Sequence, residues 1–331
     1  MVERIDTLVI GGSQAGLAIS YFLTQEGRPH VVLEKDQIGH SWITERWDSF
    51  TLVTPNWANQ LPGFPYQGDD PDGFLPRDEI VTYLEDYAAS FNAPVRLGVR
   101  AHRLGKEEDN TGYRVETNEA AFAASNVVVA TGFFQRPRIP GFANSIPPAI
   151  NQIHSSEYRN PDTLPGGAVL VVGSAQSGCQ IAEEILESGR RVYLAVGSAG
   201  RIPRRYRGKD GMYWSAKMGR FDRSFEDPAN PVERYKPNPH ASGKNGGHAI
   251  NLHQFARAGM TLLGRVIATD GHKITLAPDL KEKVAQPTNI PRIAWWRSTS
   301  ISERRGWTRR SRTTATRTTG ARPTDRTSKR Y

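Results

Sequence analysis

Cysteine is almost missing from this chain: of 331 residues only Cys179 carries a thiol. That excludes an intrachain disulfide and an intramolecular dithiol redox centre. No apolar run reaches the length needed to cross a bilayer. A strand pattern starts within the first residues, so no signal peptide is expected. These absences point to a cytoplasmic protein with no membrane partner. Zinc-ligand spacing, an RNA-binding aromatic motif and a helix-turn-helix pattern are also missing. The net charge of +9 is therefore not read as nucleic-acid binding. Much of that excess lies after Pro291, where arginine is frequent and acids are few. With 331 residues and 37% hydrophobic content, the chain is long enough for two domains with real cores.

What is present begins at the N-terminus. Ile5-Asp6-Thr7-Leu8 reads as a short apolar strand, and Val9-Ile10-Gly11-Gly12-Ser13-Gln14-Ala15-Gly16 follows it. Leu17, Ala18, Ile19, Tyr21, Phe22 and Leu23 then carry a helical apolar pattern. A tight glycine turn between strand and helix lets a pyrophosphate approach the backbone, where the free N–H groups of the helix N-terminus bind its charge. Val31-Val32-Leu33-Glu34 is the next strand. Glu34, with Lys35 beside it, lies roughly twenty residues past the glycines, where a carboxylate accepts hydrogen bonds from an adenosine ribose. Ser13 stands where the fingerprint expects its middle glycine; serine is small enough to be tolerated.

Along the chain, an aromatic, proline-rich stretch from Leu52 to Tyr66 reads as ordered loop. Pro76-Arg77-Asp78 opens a helix with Ile80, Val81, Leu84, Tyr87 and Ala88 on its apolar face. Residues 95–99, 113–116 and 122–129 read as strands, with a charged turn over 106–112. Val127-Val128-Val129-Ala130-Thr131-Gly132 is expected to be a buried strand ending in a glycine turn. Prolines 137, 140, 147 and 148 mark a linker.

The opening pattern then repeats. Val169-Leu170-Val171-Val172 is a strand and Gly173-Ser174-Ala175-Gln176-Ser177-Gly178 a second phosphate-binding turn. A helix carries Ile181, Ala182, Ile185 and Leu186, and Arg191 to Val196 is the following strand. No ribose carboxylate follows it. Residues 195–198 are Ala-Val-Gly-Ser, and Arg201, Arg204 and Arg205 come next. A missing acid with nearby arginines is how such a site accommodates a 2′-phosphate, since guanidinium pairs with phosphate in a bidentate, charge-assisted way. Ser198 and Arg201 are the first candidates for that contact. The expected fold is α/β with two Rossmann-like dinucleotide-binding domains, the first suited to FAD and the second to NADPH. Two such sites in one chain define a flavoprotein oxidoreductase.

The ordered motifs resemble the flavin-dependent monooxygenases, the flavin-containing and Baeyer–Villiger group, and especially the bacterial CzcO-like flavoproteins. The resemblance runs from the first fingerprint through Trp42, Arg46-Trp47-Asp48, Thr54-Pro55-Asn56 and Ala130-Thr131-Gly132 to His154-Ser155-Ser156-Glu157-Tyr158. It continues through the second fingerprint and residues 200–208, and ends near Lys283. It implies a soluble enzyme that passes hydride from NADPH to FAD and uses O2 to oxygenate a small-molecule substrate. It also implies that Trp42, Arg46, Ala130, Thr131 and Gly132 contact FAD, that Asn56 lies near the flavin ring and nicotinamide, and that His154 belongs to the segment coupling the two sites. The family signature around His154 departs here, with Pro148 and Ile150 where Phe and Gly are usual. Taken alone, His154 also fits a turn-capping residue, and Asn56 fits a loop residue after Pro55 with core aromatics around it. Trp42, Trp47, Trp57, Phe64 and Tyr66 could wall a dry substrate site. An oxidase that releases peroxide, or a nucleotide-binding remnant without turnover, are the alternatives to a monooxygenase.

After about Ala285 the character changes to an Arg-, Thr- and Ser-rich tail with no apolar period. It reads either as a basic disordered segment or as out-of-frame translation. The expected organisation is residues 1–150 for FAD, 151–290 for NADPH and 291–331 as tail. The resemblance implies that a C-terminal return to the FAD domain is missing.

Overall fold

The computed structural model describes residues 2–107, 112–132, 134, 136–197, 203–222 and 240–285. The chain divides into two units, Met1–Asn289 and Ile290–Tyr331. The second, which holds the expected tail, lies outside the described residues.

Unit 1 contains two lobes. In the first, β1 (Val2–Ile10), α1 (Gln14–Gln25) and β2 (His30–Leu33) form the opening βαβ unit. Its helix buries only Gly16, Leu17 and Ser20. Ile19 and Phe22 are exposed, so the apolar stripe is narrower than the pattern implied. α2 (His40–Thr44), the short hairpin β3 (Gln60–Leu61) and β4 (Phe64–Pro65), and α3 (Arg77–Ser90) follow. α3 buries Ile80, Val81, Leu84, Tyr87 and Ala88, the face its sequence pattern predicts. β5 (Val95–Arg96), β6 (Ala101–Lys106), β7 (Tyr113–Thr117) and β8 (Ala121–Val129) complete a six-stranded sheet of order β5-β2-β1-β8-β7-β6. β5, β2, β1 and β8 run parallel, while β7 and β6 form an antiparallel extension. β5 is shorter than expected because Gly98 takes φ +75° and turns the chain. Glu107 N–H donates to Gly112 O at 3.0 Å and closes the β6–β7 hairpin; residues 108–111 of that expected turn lie outside the described residues.

The expectation of a buried strand at the end of β8 is corrected. β7 pairs with β8 only over residues 121–124. Beyond that point β8 has β1 on one side and, among the described residues, no strand on the other. Val127 and Val128 are half-buried and Val129 is 60% exposed. An apolar run is buried only if something lies against both faces and both edges.

The second lobe is built on β9 (Val169–Val172), α4 (Gln176–Glu187) and β10 (Val192–Ala195). The hairpin β11 (Arg205–Tyr206) and β12 (Lys209–Asp210), α5 (Gly211–Lys217), the hairpin β13 (Ala241–Ser242) and β14 (His248–Ala249), and α6 (Leu252–Arg257) lead to β15 (Thr261–Leu263). The sheet is β15-β10-β9, all parallel. The hairpin β16 (Val266–Thr269) and β17 (Ile274–Leu276) and the helix α7 (Leu280–Ala285) end the described chain.

The core of the second lobe holds Cys179, Ile181, Ala182, Ile185, Val192, Leu194 and Val196, and Trp47 of the first lobe is plugged into it beside Tyr158. Trp47 is 3% exposed, so it is a packing residue between lobes and not a wall of a substrate site. Phe64 stacks on Tyr83 and Tyr87, at 5.5 and 5.6 Å between centroids, within the core that also contains Leu17, Leu84 and Tyr66. Arg159 ties the lobes by donating to the carbonyls of Thr44, Arg46 and Ser156. No helix among the described residues is long and apolar enough to cross a membrane.

Candidate functional sites

The first glycine turn sits at the C-terminal end of β1. Gly11 takes φ +113° and donates to Leu33 O at 2.8 Å. A Cβ at Gly11 would lie 2.5 Å from Ala130 O, and one at Gly16 would overlap Gly11 O. Both positions therefore require glycine. Ala130 N–H donates to Ile10 O at 2.8 Å, and Gly132 takes φ +80°. The structure thus brings the turn and Ala130-Thr131-Gly132 together.

Ser13, in place of the middle glycine, has φ −117° and ψ −164°. This is extended backbone that any residue adopts, which explains why serine is tolerated. Gln14 and Ala15 are exposed at the start of α1, with no acidic residue in its first turn to compete with an anion.

Glu34 is 8% exposed. Its Oε2 accepts from Gly12 N–H at 2.7 Å and its Oε1 from Asp36 N–H at 3.2 Å. A Cβ at Gly12 would stand 2.9 Å from Glu34 Cβ. A turn, a glycine without a Cβ and a carboxylate that its N–H holds thus share one small space. The cradle a side chain would fill is the cradle a dinucleotide needs, so these residues fit the group. Lys35 is exposed, with its ammonium 4.0 Å from Asp36.

Trp42 and Arg46 stand together on and just after α2. The Arg46 guanidinium lies 5.5 Å from the Trp42 ring and 5.9 Å from Phe50, and burial lowers its pKa. Asn56 is 4% exposed. Its side-chain amide donates to Asp70 O at 2.9 Å, its backbone N–H donates to Gly73 O at 2.9 Å, and its Oδ1 has no partner. The amide thus pins the 70–73 turn.

The second glycine turn repeats the first. Gly173 takes φ +106° and donates to Ala195 O at 3.1 Å. A Cβ at Gly178 would overlap Gly173 O. Ala175 is extended, as Ser13 is. The shared hydrogen bond fixes the register: Ala195 answers to Leu33, so Val196 answers to Glu34. Val196 is 1% exposed and lies in the core. No carboxylate faces this turn from that position. Ser174 occupies the place of Gly12, and its Oγ accepts from Gly197 N–H at 2.9 Å. Ser177 is exposed, and Gln176 reaches out to Ala241, donating to its carbonyl.

Among the arginines, Arg204 departs from the expectation of a phosphate ligand. It is 5% exposed, lies 2.7 Å from Asp210 and stacks 4.3 Å from the Phe74 ring. Arg205 is exposed and donates to Gly246 O at 2.8 Å. Ser198 and Arg201 lie outside the described residues.

His154 is half-buried. Its Nδ1 accepts from Ser156 N–H at 3.2 Å and lies 2.9 Å from Ser156 Oγ, which is a turn cap. Tyr158, next in the same segment, donates to Glu184 Oε2 at 2.7 Å, and Ser49 donates to Glu184 Oε1 at 2.6 Å. Glu184 thus joins the lobes, a role with no sequence signal because its partners lie 26 and 135 residues away. Among the described residues, no cluster of three or more His, Cys, Asp or Glu could hold a metal ion.

Two glycine turns of the same construction, one with a ribose carboxylate and one without, define an oxidoreductase fold for two dinucleotides. Residues 8–209 match the family described as pyridine nucleotide-disulphide oxidoreductase. The chain belongs to that family. It is 45% identical over 221 residues to a CzcO-like uncharacterized oxidoreductase of Geobacillus kaustophilus, covering 66% of this chain and 62% of that protein. It is 34% identical over 271 residues to the CzcO oxidoreductase of Bacillus subtilis, covering 81% of this chain and 75% of that one. The chain thus spans less than two thirds of the first relative's length. A flavin monooxygenase from Stenotrophomonas maltophilia shares the fold, with a TM-score of 0.62 and 24% identity over 83% of this chain and 74% of its own.

Proposed function

We propose that this chain forms the two-nucleotide core of an NADPH-dependent flavin monooxygenase, with FAD at the first turn and NADPH at the second. The observation that carries the reading is the asymmetry at one register position. Glu34 holds a buried carboxylate against Gly12 N–H, while its counterpart Val196 faces the core. A carboxylate there accepts ribose hydroxyls and repels a 2′-phosphate; its replacement by an apolar residue, with Arg205 exposed nearby in the chain, admits the phosphate. FAD, when bound, supplies the group that accepts hydride and activates O2.

The rest of the work belongs to the chain. Gly11, Gly12 and Gly16 leave the backbone bare for the pyrophosphate of FAD, and Ala130-Thr131-Gly132 closes over that turn. The N-terminus of α4 holds the second pyrophosphate. Arg46 lies against the Trp42–Phe50 ring pair, whose centroids are 5.8 Å apart, which places a cation beside apolar surface. Arg159 and the Tyr158–Glu184–Ser49 bridge hold the lobes in one orientation, as hydride transfer between two bound cofactors requires. Asn56 and His154 remain the catalytic proposals, Asn56 as a buried amide able to donate at any pH.

A second reading has an observation in its favour. The Asn56 amide already serves Asp70, and His154 Nδ1 already serves Ser156. If neither is released, these side chains give no hydrogen bond to the reacting oxygen, and the activity would be that of an oxidase that yields peroxide.

Visible absorption during anaerobic titration with NADPH and then NADH tests the cofactors. A yellow protein bleached by NADPH at lower concentration than by NADH is expected. A protein that takes up no FAD would sink the reading. On re-admitting O2, peroxide equal to NADPH consumed, whatever organic compound is added, would replace the monooxygenase with the oxidase.

A further inference from the structure

The second nucleotide turn and the Asn56 loop are joined by one aromatic side chain. Residues 51–57 and 70–76 run side by side as an irregular hydrogen-bonded ribbon in the first lobe, with an isolated bridge at Thr51 and Pro76 and a 3-10 turn over Asn56–Ala58. Leu52 N–H donates to Leu75 O, Asn56 N–H to Gly73 O and Trp57 N–H to Pro71 O, at 2.8, 2.9 and 2.8 Å. Phe74 lies one residue from the partner of Asn56 and points into the second lobe. Arg204 covers its ring at 4.3 Å. Gly247, at φ +86°, leaves the space its ring fills: a Cβ there would overlap Phe74. A Cβ at Gly243 would stand 2.9 Å from Phe74 Cβ and overlap Leu52 O. Two glycines and a buried arginine thus form a socket for Phe74.

The socket is held by Arg205 and by the helix that follows the second glycine turn. Gly243 and Gly247 belong to the β13–β14 hairpin. Gln176, the first residue of α4, exchanges hydrogen bonds with Ala241 of that hairpin through both ends of its amide. Arg205 donates to Gly246 O. His248 and Lys244 fasten the hairpin to Glu183 and Glu187 of α4. Arg204 itself is fixed by Asp210, whose Oδ1 caps α5 by accepting from Met212 N–H at 2.8 Å. A ligand that orders Gln176 and Arg205 also orders the hairpin, and the hairpin grips Phe74.

We propose that Phe74 is a positioning residue through which dinucleotide binding at the second turn sets the ribbon that carries Asn56. This rests on the reading that NADPH binds that turn. The coupling is a contiguous chain of packed and hydrogen-bonded groups with a single apolar joint, and its energy acts in both directions.

The test uses the flavin-loaded full chain and two readouts. The first is hydrogen exchange at the Asn56 and Trp57 amides with and without NADP+, which binds but does not reduce. The second is the limiting rate of anaerobic flavin reduction by NADPH, per bound flavin. In the unaltered protein NADP+ is expected to slow exchange at both amides. Phe74→Ala removes that response and lowers the limiting rate by up to about a hundredfold, the size of effect a 1 Å misplacement produces. Phe74→Leu, which still fills the socket, recovers most of both.

Gly247→Ala displaces the ring from the other side and is the second variant should Phe74→Ala fold poorly; the same losses are expected of it. A purely structural Phe74 would lower thermal stability in the alanine variant yet leave the NADP+ response and the rate per flavin unchanged, and that result overturns the proposal. Unchanged exchange on adding NADP+ to the unaltered protein overturns it as well. Slowed exchange without any flavin reduction by NADPH instead supports the joint and defeats the proposed hydride transfer.

Discussion

The two lobes repeat one turn and surround it differently. In the first, Gly11 packs against Ala130 because β8 runs beside β1; in the second, Gly173 adopts nearly the same φ with nothing within 4 Å of its would-be Cβ. β9 carries β10 on one edge and, among the described residues, no strand on the other, and Val172 is 50% exposed. The turn's conformation is therefore set by its own backbone hydrogen bond and the close approach of the helix, not by what covers it. Charge is set one residue further along. Where Glu34 turns toward the turn, position 12 must be glycine; where Val196 turns to the core, serine fits at 174 and satisfies a neighbouring N–H. One side-chain choice at the end of the second strand thus dictates the residue at the turn.

The largest expected effects come from closing either turn. Gly16→Ala and Gly178→Ala each drive a methyl into the carbonyl of the first glycine, an overlap costing on the order of 1–3 kcal/mol or more. The two should fail differently. Gly16→Ala is expected to yield colourless protein that takes up no FAD. Gly178→Ala is expected to stay yellow but resist bleaching by NADPH. Equal flavin loss in both would break the assignment of one cofactor to each lobe.

Changing the charge asymmetry should cost less. Glu34→Gln removes a charge-assisted partner of Gly12 N–H and of the ribose in the proposed FAD site, worth about 1.5–3 kcal/mol. Flavin titration should then show affinity roughly tenfold to a hundredfold weaker. Arg205→Gln should cut the preference for NADPH over NADH by about tenfold through loss of a guanidinium–phosphate contact, leaving the KM for NADH unchanged. A preference that survives would move the 2′-phosphate contact to another residue.

Local pattern carried much of this architecture. The glycine turns, the edge acid at Glu34 and all five buried positions of α3 are readable because each depends on neighbours within a few residues. Burial of residues 127–129 was not readable, because it depends on a strand that pairs, or does not, from far along the chain. β6 went unrecognised because its face is largely exposed, with Arg103 and Lys106 outward. At the sites, the aromatic residues looked like a substrate wall, yet Trp47 fills the second lobe's core and Phe64 stacks on α3. Arg204 looked like one of three equivalent basic residues. Only the fold shows that Asp210 and Phe74 have taken it out of solvent.

A smaller effect should distinguish the lobes by pH. His248 Nε2 lies 2.8 Å from Glu183, and hydrogen bonding to that carboxylate raises the histidine pKa above its ordinary value despite the opposing cost of burial. Lys244 and Glu187 are the other charges nearby. Because the folded pKa is raised, the pair's contribution is fully present below the unfolded value of about 6.5 and is lost as pH rises through the folded pKa. The pair is partly exposed, so the effect is within about 1 kcal/mol. His248→Gln should flatten this part of the stability profile of the second lobe and leave flavin retention alone. A profile unchanged by the substitution would remove His248 from the hairpin's anchorage.

The smallest effect is expected at the residue whose chemistry the family's description brings to mind. Cys179 lies one residue past Gly178 at the second turn, with its Sγ 3.2 Å from Ser174 O and 3.9 Å from His240 Nδ1. A thiol beside an imidazole suggests a nucleophile, but both groups are held neutral. Burial, with a contribution from Glu183, pushes the thiol up to about 12, and burial pushes His240 down. A thiolate–imidazolium pair would need two charges in a pocket where both residues are at most 1% exposed. Cys179→Ala should therefore leave flavin reduction by NADPH unchanged, and the native thiol should resist a disulfide reagent at pH 8 while reacting at once after denaturation. Rapid labelling of the folded protein, or loss of turnover in the alanine variant, would instead place sulfur chemistry at the second lobe and end the proposed division of labour in which that lobe only delivers hydride.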